Sequence, residues 1–267
     1  MSLLRVENLS VLLGGYRVVE KVSFELEKGD SLAIIGPNGA GKTVLIKALL
    51  GLVPFSGKVF WQPGVNPVTP SPEKLKLLEY LSKIFSFSTA SKNACSIGSN
   101  GVKIGYVPQK LDFDRYLPLS VEDFLAAKIK ILGLPRSEIE KDLSVVGFTK
   151  QILKSSFGSL SFGQFQKALI LFALIGDPDA LLLDEATLGV DAPYETQIYD
   201  VIYNLQKERH LTIILISHEF EIVYKYMDKV LCLNKKMVCF GAPERALTEG
   251  TLAALYKEGV HYRHRHG

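Results

Sequence analysis

No stretch of this 267-residue chain stays apolar for long. The longest uninterrupted run, Ala168 to Ile175, is far below the roughly 20 residues that a membrane-spanning helix needs. If the protein works at a membrane, another chain must span it. Cysteine is scarce: Cys95, Cys232 and Cys239 are an odd number without metal-ligand spacing, which suggests a reducing compartment. Net charge is also small, +3, and does not argue for nucleic acid as a partner. Glu7 comes too soon after Met1 for a signal peptide. No internal repeat is apparent. The length suits one large domain, or a core with a substantial subdomain. These absences together predict a soluble, cytosolic protein.

What is present begins with Gly36-Pro37-Asn38-Gly39-Ala40-Gly41-Lys42-Thr43, which fits the phosphate-loop pattern of a glycine, four residues, then Gly-Lys-Thr. The apolar run Asp30 to Ile35 before it has strand length, and Val44 to Leu50 after it has helix length and propensity. Gly36, Gly39 and Gly41 let the backbone curl so that successive N–H groups face phosphate oxygens. The helix that starts at Val44 adds the positive end of its dipole. Lys42 is expected to reach the β- and γ-phosphates, and the Thr43 hydroxyl to ligate Mg²⁺. The motif predicts a nucleoside triphosphate bound with Mg²⁺.

Before the loop, Leu3 to Val6 and Val18 to Leu26 are predicted strands, joined through Gly14-Gly15-Tyr16-Arg17. Further strands are expected at Ser56–Trp61, Ile104–Val107, Ala180–Leu183 and Leu211–Ile216, and a hairpin at Lys229–Leu233 and Met237–Phe240. Helical patterns cover Val121–Leu132, Ser137–Val146, Phe162–Leu174, Tyr194–Arg209 and Glu219–Met227. Residues 62–103 read as an insertion: four prolines, then an apolar stripe Leu75, Leu78, Leu81, Ile84, Phe85 at helical spacing, then a serine-rich stretch. Strands alternating with helices around a phosphate loop predict an α/β fold. The histidines of the tail, His261 to His266, alternate with Arg263 and Arg265, which would repel a cation, so a solvated terminus is expected.

Leu181-Leu182-Leu183-Asp184-Glu185 is a buried strand ending in two carboxylates. Downstream of a phosphate loop, it resembles the Walker B element. Asp184 would hold Mg²⁺ through water and Glu185 would polarise the attacking water as general base.

With these motifs the chain resembles, over nearly all of its length, the ATP-binding subunit of an ABC transporter. The family's Leu-Ser-Gly-Gly-Gln signature appears as Leu160-Ser161-Phe162-Gly163-Gln164. The resemblance implies that Ser161, the Gly163 amide and the adjoining Gln164 contact the γ-phosphate of ATP held by an opposite subunit. Phe162 departs from the usual glycine and Lys167 from the usual arginine, which implies an active but slower ATPase. Gln109, after Tyr106-Val107-Pro108, is similar to the Q-loop glutamine that senses Mg²⁺ and the attacking water. His218, in Ile216-Ser217-His218-Glu219, resembles the switch histidine at the γ-phosphate. Asp191 matches the D-loop, and Tyr16 lies where the family stacks an aromatic ring on adenine.

The resemblance implies a P-loop NTPase core with a mainly parallel sheet, an N-terminal antiparallel β subdomain and an α-helical signature subdomain. Within one domain of residues 1–267, it assigns 1–110 to the β subdomain and phosphate-loop core, with the insertion at 62–103. Residues 111–176 are then the helical subdomain, 177–245 the rest of the core and 246–267 a C-terminal tail. It further implies a head-to-tail homodimer with ATP sandwiched between copies, integral membrane permease subunits, and an extracytoplasmic substrate-binding protein at one remove. The expected location is the cytoplasmic face of the membrane. Gly189-Val190-Asp191, Asp228 to Asn234, Phe240-Gly241-Ala242-Pro243 and Leu117 to Asp123 resemble the zinc, manganese and iron uptake branch. The insertion at 62–103 is not expected in that branch. An importer of another solute, a non-transport ABC-type ATPase and a nucleotide-gated module without hydrolysis are the competing readings. A GTP switch is disfavoured, because Asn234-Lys235-Lys236-Met237 lacks the aspartate that reads guanine.

Overall fold

A computed structural model describes residues 2–62, 68, 102–109, 118–187 and 192–257. The stripe Leu75 to Phe85, Asp191 and the tail His261 to His266 lie outside the described residues. The chain divides into two compact units, Met1–Ser71 with Ile214–Gly267, and Pro72–Ile213.

The first unit opens with a three-stranded antiparallel sheet ordered β2-β1-β4, built from β1 (Ser2–Leu13), β2 (Tyr16–Glu27) and β4 (Ser56–Trp61). Alternation along β2 explains it: Val22, Phe24 and Leu26 are buried while Lys21, Ser23 and Glu25 are exposed. Leu4 lies opposite Leu26 on one side and opposite Trp61 on the other, so apolar side chains share one face across the three strands. Trp61 is buried, and its indole N–H donates to the Leu49 carbonyl at 2.9 Å, satisfying the end of α1 (Lys42–Leu49). Both N-terminal strands run longer than their apolar residues alone suggest, because pairing continues to the Gly14-Gly15 turn.

The strand that feeds the phosphate loop, β3 (Ser31–Ile35), is buried along its whole length and pairs in parallel with β8 (Lys229–Asn234). A polar clasp fixes where this pairing starts. The Ser31 hydroxyl donates to Asp228 Oδ2 at 2.7 Å and accepts from the Asp228 backbone N–H at 2.9 Å, while Lys229 pairs with Asp30 at 2.7 Å. An antiparallel hairpin then joins β8 to β9 (Lys236–Gly241). The connection is tighter than the predicted Asn234-Lys235-Lys236 turn: Asn234 and Lys236 are already paired, and Lys235 alone turns the chain at φ 58°. After α6 (Phe220–Tyr226) and the hairpin come α7 (Pro243–Ala246) and α8 (Glu249–Lys257). The expected tail is therefore helical over much of its described part, with Asn234 Nδ2 donating to the Leu255 carbonyl at 3.2 Å.

The cysteines need a correction. Cys232 and Cys239 face each other across β8 and β9 and are joined by a disulfide, with Cα atoms 4.8 Å apart. Their number therefore no longer argues for a reducing compartment. A short loop gives a modest entropic gain, on the order of 2 kcal/mol. For a chain of this size, reduction or Cys239→Ser should lower the thermal midpoint by about 4–8 °C. Calorimetry with and without a dithiol reductant checks this, and an unchanged midpoint would mean that the bond adds no stability.

In the second unit β5 (Ile104–Val107) pairs in parallel with β6 (Ala180–Asp184). Around them lie α2 (Val121–Leu132), the short α3 (Glu138–Lys141), α4 (Phe162–Leu174) and α5 (Ala192–Arg209), and the chain then enters β7 (Thr212–Ile216). Ser120 and Asp123 form a capping box at the start of α2, and Gly133 ends it in the left-handed conformation at φ 66°. Phe124 of α2 stacks on Phe157 at 4.3 Å and meets Phe172 of α4 at 4.7 Å between ring centroids. The helix expected at Ser137–Val146 stops at Lys141. Its side chain is drawn to Asp177, and buried Asp142 is held by Arg209 at 2.6 Å, while the backbone continues as turns.

Candidate functional site

In the first unit the phosphate loop follows β3. A Cβ on Gly36 would stand 2.0 Å from the Leu233 carbonyl oxygen, so only glycine lets the chain cross over β8 there. Gly41 sits at φ 97° just before α1, with the Val18 carbonyl oxygen 2.6 Å from where a Cβ would be. Pro37 accepts from the Ala40 N–H at 3.1 Å, closing a turn that leaves Asn38 and Gly39 exposed. The Ala40 carbonyl in turn accepts from the Lys235 N–H at 2.9 Å. The loop is thus backed by the β8–β9 hairpin.

Lys42 is only 6% exposed, and its ammonium donates to the carbonyls of Gly36 at 2.9 Å and Pro37 at 3.2 Å. It is drawn back over the loop it follows, where anionic oxygens would compete for its protons. Thr43 and Val44 are half-buried in the first turn of α1. His218 is exposed two residues beyond β7; the intervening Ser217 is buried and its hydroxyl accepts from the Glu219 N–H at 3.0 Å. Tyr16 opens β2 at 79% exposure, an accessible ring for stacking.

In the second unit the strand register sets the chemistry. Val107 lies opposite Leu183, so two residues further on Gln109 comes beside Glu185, and its amide donates to Glu185 Oε2. Glu185 has φ 52°, a left-handed conformation uncommon away from glycine, and this strained turn takes it out of the strand. Asp184 remains in β6, 1% exposed, and accepts from the Tyr106 hydroxyl at 3.4 Å. Burial first, and then the adjacent Asp184 charge, push the Tyr106 phenol well above its ordinary pKa, so it remains a donor. Of the two adjacent carboxylates, Asp184 thus meets Tyr106 and Glu185 meets Gln109.

The signature residues begin α4. Ser161 is its N-cap, accepting from the Gln164 N–H at 3.3 Å while its own N–H donates to Gln164 Oε1 at 3.0 Å. Phe162 is 39% exposed, whereas Gly163 is buried. A Cβ on Gly163 would touch the Tyr194 side chain at 3.5 Å. Lys167 donates to Gln197 at 3.0 Å, and burial lowers its pKa. Sequence reasoning missed Tyr106 and Tyr194 as neighbours of functional groups. Tyr106 was legible from its place one residue before the expected end of its strand; Tyr194 carried no comparable signal.

Does this donor set suit Mg²⁺? Thr43 offers a hydroxyl, Asp184 a carboxylate and Gln109 an amide oxygen, all hard donors. Among the described residues no group of three or more His, Cys, Asp or Glu gathers to hold a metal unaided. Hard oxygen donors and a phosphate-binding loop are the chemistry that suits a cation carried by nucleotide phosphates.

The ABC transporter family model matches residues 19–188. The zinc import ATP-binding protein ZnuC of Jannaschia sp. (strain CCS1) is 34% identical over 260 residues, covering 97% of this chain and 90% of that protein. The protein of the same name from Chromohalobacter salexigens is 34% identical over 260 residues, with 96% and 90% covered. Among solved structures, an ABC transporter in an inward-facing conformation aligns at TM-score 0.74 and 24% identity, over 96% of this chain and 90% of that one. The ADP conformation of the ATP-binding cassette MJ1267 aligns at TM-score 0.74 and 23% identity, over 96% and 99%. These neighbours have the α/β fold of the ABC ATPases.

Proposed function

Because this chain belongs to the ABC transporter family, we propose that it is the ATPase subunit of an importer for a divalent metal ion, with zinc as the cargo. The observation that carries this reading is likeness along nearly the whole chain to zinc import ATP-binding proteins, 34% over 97% of its length. Among the described residues no helix is long and apolar enough to cross a membrane, which supports a subunit that docks on a separate permease. The cytoplasmic face is the side where ATP is available. A substrate-binding protein would deliver the ion from the other side.

Lys42 and the loop amides from Gly36 to Thr43 bind the β- and γ-phosphates, with Val44 continuing the turn and Tyr16 stacking on adenine. Thr43, Asp184 and Gln109 are the residues that would hold Mg²⁺. When bound, the cation neutralises charge on the phosphate oxygens. Glu185 takes a proton from the attacking water as general base, with Gln109 orienting it, and His218 donates to the γ-phosphate. Ser161, Gly163 and Gln164 of a second copy complete the γ-phosphate site, so that hydrolysis removes the contacts joining the two copies. Asp191 would help to place that second copy.

The capping role of Ser161 offers a separation of effects. Ser161→Gly should cost only a few tenths of a kcal/mol in helix capping, yet abolish ATP-dependent dimer formation if its hydroxyl meets the partner's nucleotide. Light scattering with ATP, beside a thermal melt, distinguishes the two contributions. The whole reading is tested by purification from native membranes, followed by reconstitution in liposomes with the permease that travels with the chain. ATP-dependent uptake of radioactive zinc is the expected result. Uptake of some other solute but not zinc would overturn the cargo, and the absence of any polytopic partner would overturn transport.

A further inference from the structure

Tyr106 has no part in the roles above, although it touches one of the residues that carry them. Directly opposed residues of a parallel pair share a sheet face, and Tyr106 is opposed to Leu182. Asp184 is two residues further along β6, so it returns to that face about 6.6 Å away along the strand. A tyrosine side chain leaning along its strand spans that gap, and its hydroxyl indeed reaches Asp184 Oδ2 at 3.4 Å. Phenylalanine would fill the same space without the hydroxyl. The placement therefore concerns the polar tip of the ring, whose acceptor is a carboxylate that is itself 1% exposed.

We propose that Tyr106 is a positioning residue whose hydroxyl restrains one oxygen of Asp184 and so fixes the orientation in which this carboxylate meets the metal of metal–ATP. This rests on the reading of Asp184 as a metal ligand. An aspartate carboxylate is carried on two side-chain torsions, χ1 and χ2, and each contact that holds one of its oxygens narrows both. Hydrogen-bonding partners behind a ligand typically change metal affinity by 10–100-fold when removed. The separation of 3.4 Å is long for an O–H···O bond, with room to shorten by roughly 0.6 Å towards the usual length. Contacts of this kind commonly tighten when the reacting complex forms.

The test compares Tyr106→Phe and Asp184→Asn, each combined with Glu185→Gln so that ATP is not consumed. Two quantities are measured for each protein: affinity for metal-free ATP and affinity for Mn²⁺–ATP. The electron paramagnetic resonance line shape of bound Mn²⁺ is recorded alongside. The expected result is that Tyr106→Phe binds metal-free ATP like its parent but loses about tenfold of the gain that Mn²⁺ confers, with an altered Mn²⁺ line shape. An unchanged Mn²⁺ gain in Tyr106→Phe, beside a lost gain in Asp184→Asn, would overturn the role of Tyr106 while leaving Asp184 as the ligand. Equal loss with and without metal would also overturn it, marking the hydroxyl as a support of the strand only. Retention of the full gain by Asp184→Asn would instead bring down the metal-ligand reading, and the proposal with it.

Discussion

Replacing Glu185 by glutamine should lower ATP turnover by on the order of 10²-fold or more, while ATP still binds and holds two copies together. The change is nearly isosteric and removes only the ability to accept the water's proton. The surroundings tolerate it. Gln109 donates its amide to Glu185 Oε2, and a glutamine at 185 can keep a carbonyl oxygen there to accept. Its left-handed backbone, at φ 52°, lies in the turn after β6 and is as open to glutamine as to glutamate. The loss should thus fall on kcat with little change in KM. Single-turnover hydrolysis and light scattering with ATP check the two halves of the expectation. Unchanged turnover would remove Glu185 as the base, and a protein that stays monomeric and empty would remove the sandwich.

Lys42→Ala has the other large effect, on binding. The ammonium is buried and shared between the Gly36 and Pro37 carbonyls, at 2.9 and 3.2 Å. Truncation deprives both carbonyls of that donor and leaves the triphosphate without its nearest fixed positive charge. Losing one partner of a buried charged contact costs roughly 2–5 kcal/mol, so ATP affinity should fall by at least about 30-fold. Lys42→Arg should restore little, since a planar fork does not replace a compact ammonium in a closed turn. Calorimetric titration with ATP measures both. A loss below tenfold in Lys42→Ala would mean that the loop amides alone hold the phosphates.

Much of this was legible because local and long-range demands coincide. Gly36 and Gly41 are required both by the phosphate pattern and by the carbonyls of Leu233 and Val18 that approach them. The run from Leu181 to Glu185 reads as a strand end because every residue of β6 is buried. Where the two levels diverge, reading fails. Residues 137–146 have a helical pattern, but Lys141, Asp142 and Arg209 settle their charges by tertiary pairing, and α3 ends early. The disulfide was hidden by a register shift. From a turn at Lys235, regular pairing would set Cys232 opposite Val238; the irregularity between Cys232 and Leu233 moves Cys239 into that place. Tyr194 escaped notice because its relation to Gly163 exists only after α5 has packed on α4.

The β8–β9 hairpin that backs the phosphate loop also imposes an order of assembly during synthesis. Ser31 and Asp30 find Asp228 and Lys229 only when nearly two hundred further residues have been translated. The Ala40 carbonyl likewise waits for the N–H of Lys235. A nascent chain halted anywhere before that hairpin leaves the ribosome tunnel lacks the Leu233 and Lys235 backbone against which its glycine-rich turn packs. Nucleotide reaching such a chain would meet the loop without the backbone that supports it in the finished fold.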